Sequence, residues 1–279
     1  MITRAASPAR DNRLHLTCER HTARIAGAVL AVTFAISPAQ AADMPTPTKA
    51  PAPPSYQWTG CYVGLNAGGG TSGTNFGSTV DPGTYLLVAN GDPAAVGGSG
   101  GGGANADGFI GGGQAGCNWQ SGTFLVGLEG DYDYFRSKPN FANNTNTLAA
   151  GTPFTLSQSV TTDFLATARP RIGIAADRNL GYITGGAAFT RADYTETYTD
   201  AAGGTGAAAT AKSLVGWTAG AGWEYALAEH WTFKLEYLYA SFQSINALGV
   251  ISGPGGSNTL HGSTNLVIQV ARLGANFKF

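Results

Sequence analysis

The side chains best suited to chemistry are eight charged residues in segments whose polarity alternates from one position to the next. In each segment they share the face opposite the apolar residues. They comprise four acids and four bases: Glu129, Asp131, Arg169, Arg171, Glu224, Lys234, Glu236 and Arg272. A buried charge is tolerated only when it is paired and hydrogen-bonded, so a narrow interior holding this balanced set would be an interlocked ionic core. The alternative is a narrow ion-conducting path or a small-ligand site.

Other kinds of site have little support in the sequence. His230 and His261 share no metal-ligand spacing with each other or with carboxylates. The stretch 111–116 matches the glycine pattern of a dinucleotide site, but an alternating strand follows it where that site needs a helix. No nucleophile and base occur as a recognisable pair. We therefore expect no catalytic residue, no metal and no cofactor.

The composition excludes several classes of protein. Only 12% of the 279 residues are charged, against roughly 25% in soluble domains. Beyond the N-terminal region, no apolar run reaches the ~18 residues of a membrane-spanning helix. The 5 Trp, 11 Tyr and 13 Phe argue against a disordered chain, and a net charge of -1 gives no basic footprint for nucleic acid. A single β-rich body remains.

The N-terminal region has the pattern of a secretory signal peptide. Five arginines precede an apolar stretch at 25–36, and the small-x-small sequence Ala39-Gln40-Ala41 follows it. We predict a signal peptide at 1–41, a proline-rich periplasmic lead-in at 42–57 that cannot join a sheet, and a barrel at 58–279. Removal of the signal leaves 11 Lys and Arg against 15 Asp and Glu, so the exported chain is mildly acidic.

Eight segments of the barrel region alternate with a period of two and have about the 9 to 11 residues of a tilted membrane strand. They are 58–68, 109–119, 124–134, 164–174, 180–192, 216–225, 231–242 and 266–279. The alternation at 180–192 is weak, which leaves its facing open. The sequence therefore predicts an all-β fold, an eight-stranded antiparallel transmembrane β-barrel.

The lengths of the connections distinguish a membrane barrel from a soluble one. Tight turns are expected at 120–122, 177–179 and 228–230, and long extracellular loops at 71–107, 137–160, 193–212 and 244–264, with 97–103 as the flexible tip of the first. Short turns on one rim and long loops on the other are typical of an outer-membrane barrel. A soluble barrel would place its apolar residues inside. Here the apolar faces end in aromatic residues, as interfacial girdles do: Trp119, Tyr134, Trp223, Trp231 and Phe279.

Several motifs resemble the small OmpA-like outer-membrane β-barrel family of alphaproteobacteria, whose members include outer membrane immunogenic and porin family proteins. They include Trp-Thr-Gly-Cys-Tyr-Val-Gly at 58–64, Gly-Leu-Glu-Gly-Asp at 127–131, Arg-Pro-Arg-Ile-Gly at 169–173 and Lys-Leu-Glu-Tyr-Leu-Tyr at 234–239. The resemblance covers the strands in order but not the loops. Pro170, Cys61 and Cys117 depart from the family pattern. The resemblance implies an eight-stranded surface barrel and says little about any one member's role.

The two cysteines of the exported chain form a candidate disulfide. Cys61 lies near the periplasmic start of the first strand and Cys117 near the periplasmic end of the second, so antiparallel pairing places them at one height on the lipid face. A bridge fits only a close, non-hydrogen-bonded pair. We expect the bridge because the compartment is oxidising. The alternative is two small apolar side chains packed against lipid.

The last strand carries a candidate assembly signal. Leu273, Ala275, Phe277 and Phe279 form one lipid-facing row, which resembles the C-terminal signal read by the outer-membrane insertion machinery. The alternative is an ordinary last strand. We expect the protein to contact outer-membrane lipid, this machinery during assembly, and an unknown extracellular partner of its loops.

Two kinds of function are compatible with these features. The first is a structural and interaction protein, a surface antigen that anchors in the cell outer membrane and presents its loops without chemistry. The second is a narrow pore or a surface receptor for a small ligand such as haem.

Overall fold

The computed structural model describes residues 55–279, and nine strands within that range form one antiparallel sheet. The strands are β1 (Gly60–Val80), β2 (Gly102–Ser121), β3 (Phe124–Ser137), β4 (Asn140–Thr147), β5 (Pro153–Ala176), β6 (Asn179–Asp200), β7 (Thr205–Ala226), β8 (Trp231–Gly253) and β9 (Gly256–Lys278). Between β1 and β2, which loop 1 (81–101) connects, lie a 3-10 turn (Val88–Asn90) and the helix α1 (Asp92–Ser99). The predicted signal peptide and most of the predicted lead-in lie outside the described residues.

Eight of these strands form a closed hydrogen-bonded ring. Each pairs with its neighbour in sequence except that β3 pairs with β5, and pairing of β1 with β9 closes the circle. The short strand β4 continues the line of β3 and pairs with the extracellular end of β5. All eight segments predicted from the alternation lie in ring strands, apart from the first two residues of the first segment and Phe279.

The register of the ring sets the width of its interior. A path through hydrogen-bonded neighbours that starts at Phe135 returns to β3 at Leu125, ten residues away. Strand number and stagger together determine the diameter of a barrel, and eight strands leave an interior just wide enough for side chains to fill. The position of each inward-facing side chain is therefore constrained by the side chains opposite.

The prediction of long loops is wrong for three of the four extracellular connections, which consist largely of strand. The three tight turns on the opposite rim are present, but β6 continues to Asp200, β7 begins at Thr205, and β8 and β9 meet at a turn around Gly255. Much of 137–160 likewise belongs to β4 and β5. The reason is that alternation persists beyond the membrane, with polar rather than apolar residues facing outward. Exposed Thr195, Thr197 and Thr199 illustrate this on β6.

Loop 1 is the long connection that remains, and it folds over the extracellular mouth. The segment 97–103, expected to be a flexible tip, instead contains the end of α1 and the start of β2. Leu86 and Val96 are buried in the cluster that fills the upper barrel. Asn258 holds Leu86 in place, because its side chain bonds both the Leu86 N–H (2.7 Å) and the Leu86 carbonyl oxygen (3.0 Å).

In the membrane-spanning part, side chains point inward or outward as the alternation predicts. The predicted aromatic ends, including Trp119 and Trp231, are exposed on the outside. On β6, where the facing was open, Leu180 and Tyr182 point inward and Ile183 and Phe189 outward. Within residues 55–279, no helix has the length and apolar character needed to cross a membrane.

Candidate functional site: the barrel interior

The eight charged residues singled out by alternation lie together in the middle of the barrel. All are buried, at most 7% exposed, and face the lumen from five strands: Glu129, Asp131, Arg169, Arg171, Glu224, Lys234, Glu236 and Arg272. Arg169 Nη2 lies 2.7 Å from Glu129 Oε1 and 2.8 Å from Asp131 Oδ2. These contacts are short enough for charge-assisted hydrogen bonds, which are about twice as strong as neutral ones.

The remaining bases extend the same network across the lumen. Lys234 Nζ lies 2.9 Å from Glu129 Oε1, and Arg272 Nη2 lies 2.7 Å from Glu236 Oε2. Arg171 Nη1 lies 3.2 Å from Glu224 Oε2. Glu129 thus contacts three cations, including Arg169, whereas Arg171 is the single cation that contacts Glu224 within the described range. Removal of Arg171 would therefore leave Glu129 with two other cations but would deprive Glu224 of the one cation it contacts among the described residues.

Two tyrosines complete the walls of this layer. Tyr182 donates its hydroxyl hydrogen to Glu236 Oε1 (2.8 Å), and Tyr62 donates to Glu129. The guanidinium of Arg171 lies 4.9 Å from the ring centre of Tyr62 and 5.1 Å from that of Tyr182. Such cation–π contacts are strongest where water is excluded.

Asp133 is a fifth acid of the layer that the predicted set omits. It is fully buried and forms an ion pair with Arg272 Nη1. The signal for it was available, because Asp133 follows Glu129 and Asp131 at the same parity on β3. The layer therefore contains five acids and four bases rather than a balanced set.

An aromatic plug closes the periplasmic end of the lumen. Trp58, just before β1, is 1% exposed and packs with Leu125, Leu180 and Tyr182. Its backbone N–H donates to Gln120 Oε1 (2.8 Å), and its indole N–H donates to the Asp177 carbonyl oxygen (3.0 Å). The residue that directly follows the predicted lead-in is thereby tied to the periplasmic end of β2 and to the turn between β5 and β6, a long-range arrangement that alternation does not predict.

The extracellular half of the interior is mainly apolar. Its buried residues form one cluster that includes Phe154, Leu156, Ile245, Ile251 and Leu260. Loop 1 closes the mouth above them and is tied to the end of β6, since the Tyr85 hydroxyl donates to Asp200 Oδ2 (2.6 Å). Ionic, aromatic and apolar groups together occupy the described interior from one mouth to the other.

One buried carboxylate stands apart from the ionic layer. Glu196 is fully buried in the extracellular half and accepts hydrogen bonds from Tyr194 (2.9 Å), Gln158 (3.1 Å) and Ser78. Burial raises its pKa, while these hydrogen bonds act in the opposite direction. No alternation signal identified Glu196, because it lies in the stretch predicted to be a loop.

Cys61 and Cys117 are directly opposite on β1 and β2 and are joined by a disulfide, with their Cα atoms 4.0 Å apart. Phe279 N–H donates to the Cys61 carbonyl oxygen (3.0 Å), so the backbone polar groups of Cys61 point towards β9. Across to β2, the two cysteines consequently form a non-hydrogen-bonded pair, the close kind that a bridge requires. The bond lies on the outer, lipid-facing side of the barrel.

The other sequence candidates lie at the two rims. The predicted insertion row of Leu273, Ala275, Phe277 and Phe279 faces outward from β9 and the chain end. His230 Nδ1 lies 2.9 Å from the Lys278 carbonyl oxygen on the periplasmic rim. His261 Nε2 lies 2.8 Å from Asp81 Oδ2, a single carboxylate from a distant part of the chain. Residues 55–279 contain no group of three or more His, Cys, Asp or Glu side chains arranged to hold a metal ion.

Comparison with known proteins agrees with this architecture. The model of the outer membrane protein beta-barrel domain family matches residues 27–279. The chain is 33% identical over 262 residues to the 31 kDa outer-membrane immunogenic protein of Brucella melitensis, covering 90% of this chain and 98% of that one, and equally so to its Brucella suis counterpart.

Solved structures with some likeness include the outer membrane protease OmpT from Escherichia coli, with 9% identity, a TM-score of 0.40, and coverage of 81% of this chain and 99% of that one. Another is the outer membrane protein OprG from Pseudomonas aeruginosa, with 11% identity, a TM-score of 0.36, and coverage of 80% and 99%. Both TM-scores are low, so the assignment depends on the family and the Brucella relatives. The chain belongs to the outer membrane protein β-barrel domain family and is a protein of the outer membrane.

Proposed function

We propose that the protein is a non-enzymatic anchor and surface antigen: a closed barrel that holds its extracellular extension and loop 1 above the outer membrane. The observation that carries this proposal is the filled interior. Trp58 occupies the periplasmic mouth, the ionic layer occupies the middle, and Leu86 and Val96 of loop 1 lie in the apolar upper part. Passage of hydrated ions would require several of these groups to move together.

The relatives support the surface role. The Brucella proteins, which match over nearly their whole length, are named as outer-membrane immunogenic proteins. In this chain the parts accessible from outside are loop 1 and the rims of the extended strands. Leu87 and Val88 of loop 1 are 45% and 61% exposed, so this segment offers apolar as well as polar groups to an antibody or a partner.

Conductance separates the closed anchor from the pore. The refolded mature protein should give no steady single-channel conductance in planar lipid bilayers, with an open porin as the positive control. On intact cells, an antibody against the loop 1 sequence should bind. A steady conductance would overturn the proposal in favour of the narrow pore, and saturable binding in a haem titration would favour the receptor.

A further inference from the structure

The position of the disulfide determines when it can form. The Cys61–Cys117 bond lies one residue from the periplasmic end of the β1–β2 ladder, on the outer face of the barrel. It forms part of the wall of an external groove of about 790 Å³. The outward side chains around it are apolar and include Val63, Trp119 and Phe279.

In the membrane these neighbours place the sulfur atoms against lipid. Trp119 and Phe279 are 53% and 69% exposed and belong to the periplasmic aromatic row. Aromatic rows of this kind lie at the membrane interface, with the apolar band of the barrel beside them. Cys117 lies two residues from Trp119 towards the membrane centre, so the groove and the bond face the apolar band just inside this row.

Thiol–disulfide exchange requires a thiolate to attack a sulfur atom directly. An apolar environment disfavours the thiolate form, and transfer of an ionised group into hydrocarbon is costly. The active site of a water-soluble oxidoreductase also cannot reach a sulfur atom that lies beneath lipid. The inserted barrel is thus a poor substrate both for forming this bond and for breaking it.

We propose that the Cys61–Cys117 disulfide forms in the periplasm before the barrel inserts, and that insertion then protects it from reduction. The reaction that supplies it is thiol–disulfide exchange with the disulfide of a periplasmic thiol oxidoreductase. The two cysteine thiols lose two electrons and two protons, and the disulfide of the oxidoreductase becomes a dithiol. The bond closes a ring with a sequence separation of 56 residues, so the insertion machinery receives a chain whose first two strands are already linked.

Reduction kinetics test the protection. The oxidised protein, in lipid vesicles or unfolded in urea, is treated with the carboxylate-bearing phosphine TCEP, and free thiols are counted by alkylation and mass spectrometry. We expect reduction in vesicles to be at least about tenfold slower than in urea. Equal rates would overturn the proposal.

A matched control moves the bond out of the lipid. In a Cys61→Ala, Cys117→Ala background, Gly73→Cys and Asn105→Cys place a pair on the same two strands and the same outward face, beyond the membrane part. A side chain at Gly73 would crowd the Asn105 side chain, which is itself replaced. This bond should be reduced in vesicles within about threefold of its rate in urea. Equal protection of both bonds would show that the sheet, not the lipid, protects the sulfurs, and would refute the proposal.

The proposed order, oxidation before insertion, is tested by adding an oxidant only after the reduced protein has been inserted. The reduced chain is refolded into vesicles and then given oxidised glutathione. We expect its two thiols to remain free there, while the same chain in urea forms the bond. Formation of the bond in vesicles at the rate seen in urea would overturn the proposed order. Failure of the reduced chain to insert would support it, since oxidation would then be required first.

Discussion

Replacement of Arg272 by Met should destabilise the barrel more than replacement of any other base that shares its acids. Arg272 contacts Asp131, Asp133 and Glu236. Asp131 and Glu236 would keep Arg169 as a partner, at 2.8 and 3.3 Å. Asp133 would lose the one cation it contacts within the described residues. Leaving one buried carboxylate without its partner typically costs about 3–5 kcal/mol of unfolding free energy.

Arg169→Met provides the comparison, because each acid it contacts keeps another cation. Its cost should be that of lost charged hydrogen bonds, about 1.5–3 kcal/mol. Ile172→Val on the lipid face is the control, at about 0.5–1.5 kcal/mol. The double variant Arg272→Met, Asp133→Asn should recover a large part of the loss, since it removes the orphaned charge. The measurement is urea unfolding in lipid vesicles with unchanged m values. Equal midpoints for Arg272→Met and Arg169→Met, or no recovery in the double variant, would refute this account.

Three further predictions concern the rims and the extracellular half. Because burial raises the pKa of Glu196, its contribution to stability is present below its ordinary pKa and lost as the pH rises through the raised value. In urea unfolding, the native protein should therefore lose stability relative to Glu196→Gln as the pH rises above the ordinary pKa of a glutamate, and parallel pH profiles would contradict this. Leu86→Ala should cost about 2–5 kcal/mol locally and increase protease cleavage in loop 1 while the membrane barrel stays intact; unchanged cleavage would show that Leu86 does not hold the loop. Deletion of Phe279 should lower the membrane yield and the fraction of protein that shows the heat-modifiable gel mobility of a folded barrel. If both stay unchanged, the last strand carries no insertion signal at Phe279.

The membrane part of the fold could be predicted because a single physical rule governs it. Lipid outside and a narrow interior force polarity to alternate with period two, so parity alone assigned Glu129 and Arg169 to the lumen. The same rule would have assigned Asp133. What parity cannot supply is the partner of each charge, which depends on register around the whole ring. Arg171 pairs with Glu224, for example, across strands that are distant in sequence.

The closures at the two mouths were not predictable from local pattern. Trp58 lies in the lumen because Gln120, at the end of β2, accepts from its backbone N–H and Asp177, in the turn between β5 and β6, accepts from its indole N–H. Loop 1 folds inward because Asn258 on β9 satisfies both backbone groups of Leu86. In each case the decisive contact joins residues more than 60 positions apart, and the local sequence carries no sign of it.

The incorrect prediction of the long loops and the correct prediction of the membrane strands have the same origin. Within the membrane, β6 carries exposed Ile183 and Phe189 outside, facing lipid. Beyond it the same strand carries Thr197 outside and buried Tyr198 inside, the arrangement of a soluble barrel. One continuous sheet therefore inverts its polarity where lipid gives way to water. Strands predicted from an apolar outer face therefore end at that boundary, whereas the real strand continues beyond it. The inversion also explains the interior. Charges fill the part whose outer face is apolar, whereas a mainly apolar core around the single carboxylate network of Glu196 fills the part whose outer face is in water, where burial of apolar surface again stabilises the fold.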